Sequence, residues 1–163
     1  MEGQFFFTTI AGLGISIAGF AGLMIALRPD PNWTAIDRWR VRNIIYLGFR
    51  AAFLALMPIP IFAFTNDLAM TIRIASGLVV VAIAIQLWQW AHEDPDEWPE
   101  GRGANLFFLA VLGGGPSMVN LWLASVGLFE VVLLSLLVHP ANIFTVVVQE
   151  VVRDHKVSHS DKA

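Results

Sequence analysis

Five apolar stretches separated by short polar segments dominate the chain. The first, Phe5 to Leu27, carries no charge and is long enough to cross a hydrocarbon layer about 30 Å thick at about 1.5 Å per residue. The others cover residues 44–64, 68–91, 105–124 and 126–149. This pattern predicts an all-α fold, a polytopic bundle of five transmembrane helices that forms a single domain over residues 1–163.

The last part of the chain admits a second interpretation. Residues 105–152 form a largely apolar run that is interrupted at Gly113 to Pro116, at Glu130 and at His139-Pro140. Two spans fit this region. One span at about residues 117–138, with a re-entrant piece before it and an interfacial helix after it, fits as well and gives four spans in total.

The distribution of Lys and Arg residues among the loops favours the five-span arrangement. With the N-terminus outside, the inner side receives loop 28–43, loop 92–104 and the tail 153–163, which hold the Lys and Arg residues found outside the spans. Four spans would place the tail and its positive charges outside, against the positive-inside tendency. The sequence therefore predicts an outside N-terminus and a cytoplasmic C-terminus.

The first span separates bulky residues from small ones. The bulky stripe comprises Ile10, Leu13, Ile17, Phe20, Met24 and Leu27, and the small residues are Gly12, Gly14, Ser16, Ala18, Gly19, Gly22 and Ala26. Helices in lipid associate by close backbone approach over small residues. We therefore expect the small side of this helix to pack against the bundle and the bulky stripe to face lipid.

The composition supports the membrane class and removes several kinds of site. The chain is 56% hydrophobic and 14% charged, and it has no cysteine, which excludes disulfides and thiolate ligands. Loop 92–104 holds five carboxylates and a histidine, but their spacing matches no calcium or zinc motif. We interpret this segment as a solvated acidic loop, and residues 153–163, with His155 and His159, as a polar, fraying tail.

The first loop ends in a helix start. Thr34 and Asp37 match a capping box, and three arginines interleaved with Trp39 follow. We interpret these arginines as a collar at headgroup level that sets the topology, and binding of an anionic lipid is the alternative. The three arginines are Arg38, Arg40 and Arg42.

Charged side chains inside the spans mark candidate functional sites, because they are costly in a bilayer. Arg73 of the third span and Glu130 of the fifth have matching predicted depths near the outer side, and Asn120 of the fourth span shares that level. These three residues form a predicted intramembrane polar cluster. Such a cluster serves either as a packing device or as a substrate site.

Two further candidates lie elsewhere in the spans. Arg50 and Gln86 share a depth near the inner side and form a second candidate pair. His139 and Asn142 flank Pro140 and form a candidate broken-helix site, where we expect their side chains to satisfy freed backbone carbonyls. A relay between His139 and Glu130 is disfavoured, because about 13 Å separates them along a helix.

Other chemistry has no support in the sequence. The chain contains no phosphate-binding loop, dinucleotide fingerprint, nucleophile elbow or zinc-protease motif. It also lacks a basic stripe suited to nucleic acid. We predict no catalytic residue, no cofactor, no metal site and no nucleic-acid partner.

One resemblance adds to this interpretation. The run from Gly14 to Leu23, followed by Arg28 and by Asp37 to Asn43, resembles a group of small bacterial integral membrane proteins of unknown activity. The resemblance is clearest over residues 12–50. It implies a bacterial inner-membrane location and no functional residue.

These observations together predict a non-enzymatic inner-membrane protein. We expect it to act through helix contacts, as a scaffold or partner subunit in the lipid bilayer that binds another membrane protein or further copies of itself. The alternative is a small transporter or channel component that uses Arg73, Glu130 and His139. An intramembrane enzyme would need a second catalytic group beside Glu130 or His139, and the sequence offers none.

Overall fold

Helices account for nearly all of the described chain. The structure is a computed structural model that describes residues 1, 3–27, 34–92 and 107–160, without the side chains of residues 25, 27 and 150–160. Its elements are α1 (Gln4–Leu27), α2 (Ala35–Leu56), α3 (Pro58–Thr65), α4 (Leu68–His92), a π-helical segment (Leu109–Gly114), α5 (Gly115–Leu123) and α6 (Val126–Ser160). No strand occurs among these residues, so the all-α prediction is confirmed. The predicted acidic loop lies outside the described residues after His92.

Four helices are long and apolar enough to cross a membrane. They cover Gln4–Met24, Ala35–Thr65, Leu68–His92 and Val126–Gln149, and a shorter apolar helix covers Leu109–Leu123. The second of them consists of α2 and α3, which follow one another through Met57. The chain stays helical there because Pro58 is the first residue of α3, a position whose N–H the helix does not need. The capping box forms, with Asp37 N–H donating to Thr34 Oγ1. For this reason α2 begins at Ala35, as the capping box predicted, and the apolar span from residue 44 continues the same helix.

The chain turns sharply between α5 and α6. Ala124 has a left-handed φ of 51°, and the side chain of Asn120 bonds to both the N–H and the carbonyl of Ser125. The turn therefore lies at the predicted boundary between residues 105–124 and 126–149. A single helix over residues 117–138 is wrong, because this turn interrupts it. Helix α6 continues to Ser160, through most of the predicted polar tail.

The residues in contact give the helix directions. Gly14 of α1 packs on Gly48 of α2, and α2 runs antiparallel to α4, with Arg50 against Gln86 and Asn43 against Trp90. In contrast, α1 and α6 run in the same direction. Their paired rings are Phe7 with Phe129 and Phe20 with Phe144.

Helix α5 runs opposite to both of its neighbours. Along α5 the contacts on α4 move backwards, from Ile83 facing Gly113 to Ser76 bonding Asn120. Helix α6 begins beside Ser125, at this Ser76 level, and later places His139 against Trp90 near the end of α4. Helices α4 and α6 are therefore parallel.

The α1–α2 interface is the closest helix contact and partly corrects the expected orientation of α1. A Cβ atom on Gly14 would lie 2.5 Å from the Gly48 carbonyl oxygen, and Ala18 also faces α2, as expected. Ile10 is buried, whereas Gly12 and Gly19 face outward with no atom within 4 Å of an added Cβ. The bulky and small stripes therefore do not divide cleanly between lipid and bundle.

Candidate functional site

Arg50 and Gln86 lie together between α2 and α4, as their equal predicted depth allowed. The Arg50 Nη1 donates to Gln86 Oε1 at 2.6 Å, and Arg50 Nη2 donates to the hydroxyl of Tyr46 at 3.3 Å. The guanidinium also lies 5.0 Å from the centre of the Tyr46 ring. Among the described residues no carboxylate pairs with Arg50, so neutral groups and a ring face stabilise its charge.

Trp90 lies in a polar cluster that was not among the predicted sites. Asn43 is buried, donates from Nδ2 to the carbonyl of Trp39 at 2.9 Å, and accepts from Trp90 Nε1 at 3.2 Å. The Trp90 ring lies 6.2 Å from the Trp39 ring and 5.4 Å from the His139 ring. Trp90 itself is fully buried.

A periodic signal for the burial of Trp90 exists in the sequence. Six buried residues of α4 recur at spacings of three and four, which is the period of one helix face. They are Ile72, Ala75, Val79, Ile83, Gln86 and Trp90. Since Gln86 and Trp90 continue an apolar stripe, this face identifies both as interior residues.

The predicted cluster of Arg73, Asn120 and Glu130 does not assemble. Arg73 is exposed on α4, and within the described residues it forms no ion pair with Glu130. Glu130 instead faces the start of α1, where its Oε1 would lie 3.2 Å from a Cβ on Gly3. Asn120 is fully buried, but its partners are Ser76 and Ser125.

The predicted depths of these residues match, but the rotation of the helices about their axes does not turn the three side chains toward one another. Ser76, rather than Arg73, is on the side of α4 that faces α5, and its hydroxyl accepts a 3.1 Å bond from Asn120 Nδ2. The expected charged cluster is therefore replaced by a neutral one. Its observed bonds join α4, α5 and the turn before α6.

His139 and Asn142 line one cavity in the bundle wall. The cavity has a volume of about 280 Å³ and lies between α6 and the π-helical segment. Its other lining residues are Phe108, Leu109, Leu112, Gly113, Ser135, Leu136 and Val138. Asn142 is exposed at this cavity, whereas the Nε2 atom of His139 is buried and has no hydrogen-bond partner among the described residues.

The expected role of His139 in satisfying a freed carbonyl is not observed. Instead Ser135 Oγ lies 3.0 Å from the carbonyl oxygen of Leu112 and 2.7 Å from that of Val132. A second cavity, of about 10 Å³, contacts both His139 and Arg50. This volume is close to that of one water-sized sphere.

The basic collar is helical and borders a polar cavity. Arg40 lies 3.8 Å from Asp37. Arg42 lines an open cavity of about 390 Å³ together with Asn43, Tyr46, Gln86, Trp88, Gln89 and His92. Gln86, the hydrogen-bond partner of Arg50, is thus also part of the wall of this cavity.

The described residues offer no metal-ion site. Within the described residues no group of three or more His, Asp or Glu side chains is placed to hold a metal ion. His155 and His159 lie outside the described side chains. No protein family model, no curated protein and no solved structure matches the chain.

Proposed function

We propose that the protein is a non-enzymatic subunit of the bacterial inner membrane, which binds a transmembrane helix of a partner protein on the outer face of α1. The outward position of Gly12 and Gly19 carries this proposal, because an added Cβ at either glycine meets no atom within 4 Å. Between them Ser16 is exposed, and its hydroxyl donates to the carbonyl of Gly12 at 2.8 Å. The stripe therefore presents small side chains, and its hydroxyl already has a partner.

Larger side chains flank this stripe. Leu13, Ile15 and Phe20 are exposed by 49%, 49% and 59%. A second helix placed over Gly12, Ser16 and Gly19 can bring its backbone close while its side chains contact these flanks, which is how membrane helices gain dispersion contacts. The same helix packs in this way inside the bundle at Gly14.

The helix directions support five crossings. Because α4 and α6 are parallel, a chain that leaves the membrane at the end of α4 has to cross back before α6 begins. The antiparallel helix Leu109–Leu123 lies on that return path. The positions of Lys and Arg then favour an outside N-terminus and a cytoplasmic C-terminus.

The location and lipid contacts follow from the same arrangement. The resemblance of residues 12–50 to small bacterial membrane proteins supports the inner membrane. The collar of Arg38, Arg40 and Arg42 then lies at the cytoplasmic headgroups, where anionic lipid attracts basic side chains. Arg42 borders the open polar cavity, which gives a headgroup room beside it.

Cysteine labelling in intact cells tests the topology, since the chain has no cysteine of its own. Asn66→Cys and Ser125→Cys are expected to react with an impermeant reagent from outside. Asp96→Cys and Ser160→Cys are expected to react only after the membrane is opened. Outside labelling of Ser160→Cys would overturn the five-span arrangement.

Site-specific photocrosslinking in native membranes tests the partner helix. A crosslinker replacing Ser16 is expected to give one discrete product, and the double change Gly12→Leu with Gly19→Leu is expected to remove it. A crosslinker replacing Val81, which is exposed on α4, is the matched control and should give no such product. A product of twice the monomer mass would identify the partner as a second copy of this chain. The absence of any crosslinked product would overturn the proposal.

A further inference from the structure

A π-helical segment and a proline within the continuous helix α6 meet at the cavity beside His139. The first is the π-helical segment Leu109–Gly114, which precedes Pro116, and the second is Pro140 within α6. Proline has no N–H, so in α-helical register it leaves the carbonyl four residues earlier without its donor. The carbonyl that Pro140 leaves belongs to Leu136, and this residue and Leu112 of the π-helical segment both line the cavity.

The carbonyl of Leu112 has a partner from the opposite helix. Leu112 accepts from Ser135 of α6, and this bond joins the two walls of the cavity. Ser117, one turn further along α5, donates to the carbonyl of Gly113 at 2.6 Å. The π-helical wall is thus held in its interrupted form by side-chain bonds. Such interruptions occur frequently at functional sites.

His139 brings unused hydrogen-bonding capacity to this place. Its Nε2 is enclosed without a partner in the described part of the chain, which costs free energy in a medium without water. Its ring lines the open cavity and also the small cavity beside Arg50. His139, Leu109 and Leu136 line both spaces and therefore form the partition between them.

The cavity wall defines the chemistry of an occupant. No Asp, Glu, Lys or Arg side chain lines it, and most of the wall is Leu, Val and Phe. The hydrogen-bonding groups are the imidazole, the Ser135 hydroxyl and the amide of Asn142. Ligand sites have this combination of an apolar wall and a few converging polar groups.

We propose that this cavity binds a neutral, lipid-soluble molecule through a hydroxyl or carbonyl oxygen, and that the His139 ring turns its unpartnered Nε2 toward the cavity to form the hydrogen bond. A membrane quinone and a long-chain alcohol share this chemistry. The cavity is partly open and lies beside the middle of α6, so the molecule enters from the bilayer. Arg50 stays behind the partition and does not select for a negative charge.

Binding measurements on the full-length protein in detergent test this proposal with four probes. A decyl-substituted benzoquinone and 1-decanol are expected to bind saturably, and decane and decanoate at least tenfold more weakly. His139→Phe is expected to weaken the first two at least tenfold. His92→Phe makes the same chemical change outside the cavity and should leave binding unchanged.

Nuclear magnetic resonance of ¹⁵N-labelled imidazoles adds a direct readout. The chain has four histidines, and the signals lost in His139→Phe identify that ring. Its nitrogen shifts are expected to move on addition of the quinone or the alcohol, whereas those of His92 stay in place. Binding of the quinone but not the alcohol would identify a quinone as the ligand, binding of the alcohol but not the quinone would identify a hydroxylated lipid, and comparable binding of both is the expected result.

A second variant covers the case in which His139→Phe does not fold. Asn142→Phe fills the cavity from its exposed side, without a change to the bundle interior, and is expected to abolish binding. Unchanged binding in a folded His139→Phe or Asn142→Phe protein would overturn the proposal. Tighter binding of decanoate, equal binding of decane, or no binding of any probe would overturn it as well.

Discussion

Gly14 and Gly48 face each other so closely that each backbone fills the space of a side chain on the other. A Cβ on Gly14 would lie 2.5 Å from the carbonyl oxygen of Gly48, and a Cβ on Gly48 would lie 2.6 Å from that of Gly14. The contact is therefore reciprocal and involves backbone atoms that cannot move aside. It is suited to Cα–H···O contacts between the two helices.

Replacement of either glycine with alanine should separate α1 from α2. We expect Gly48→Ala to lower the free energy of unfolding by about 1–3 kcal/mol, the range typical of an overpacked interior. Unfolding of the purified protein by added denaturing detergent measures the change. Gly19→Ala is the control, because its added methyl group meets nothing within 4 Å, and an equal loss in both variants would contradict the packing described for α1.

The Arg50–Gln86 bond is expected to contribute to stability. Gln86→Leu removes the acceptor and leaves the guanidinium with Tyr46 alone, which should cost about 1.5–3 kcal/mol for a bond to a charged group. The same unfolding measurement applies. Gln89→Leu makes the same chemical change one turn away, and it should have little effect because Gln89 forms no side-chain bond within the described residues.

The bond between Asn43 and Trp90 is expected to couple the two residues. In a double-mutant cycle with Asn43→Leu and Trp90→Phe, the coupling energy should be about 1 kcal/mol in favour of the native pair. Thermal unfolding followed by fluorescence at the remaining tryptophans measures it. Additive losses would show that the 3.2 Å contact contributes nothing beyond packing.

Arg73 and Glu130 should behave independently. Because no ion pair joins them, Arg73→Gln and Glu130→Gln are expected to show a coupling of about 0.5 kcal/mol or less, the usual limit for separate sites. A coupling of about 1.5 kcal/mol or more, three times that limit, would restore the predicted polar cluster. It would also favour the transporter alternative over a subunit that acts through helix contacts.

The turn at Ala124 should accept glycine. A left-handed φ costs an L-residue about 1–2 kcal/mol relative to glycine, so Ala124→Gly is expected to raise the melting temperature. Ala84→Gly, at an exposed position inside α4, is the control and should destabilise by about 1 kcal/mol. A loss of stability in both variants would contradict the backbone conformation at Ala124.

The sequence predicted axial positions better than rotations. Hydrophobic length placed the helices, and equal depth brought Arg50 to Gln86. Equal depth failed for Arg73 and Glu130, because it does not determine which face of a helix meets its neighbour. That rotation depends on which small residues allow the closest approach. In α1 the contact with Gly48 of α2 is made by Gly14 and not by Gly12.

The cavity beside His139 illustrates a second limit. Pro116 and Pro140 each indicate an irregular position in a helix. The sequence does not indicate that they lie near one another, because they are far apart along the chain. Only the antiparallel pairing of α5 with α6 brings Leu112 beside Ser135. A cavity formed by two distant segments can therefore be recognised only in the packed bundle.

The Gly14–Gly48 contact also has a consequence for biosynthesis. Its two helices are complete once α2 ends at Leu56, so a ribosome feeding the translocon delivers the tightest hairpin of the bundle first. Helix α6 emerges last and covers Phe7 with Phe129. Until then the nascent hairpin exposes that ring to lipid or to a membrane chaperone, and the final helix to leave the ribosome closes the assembly.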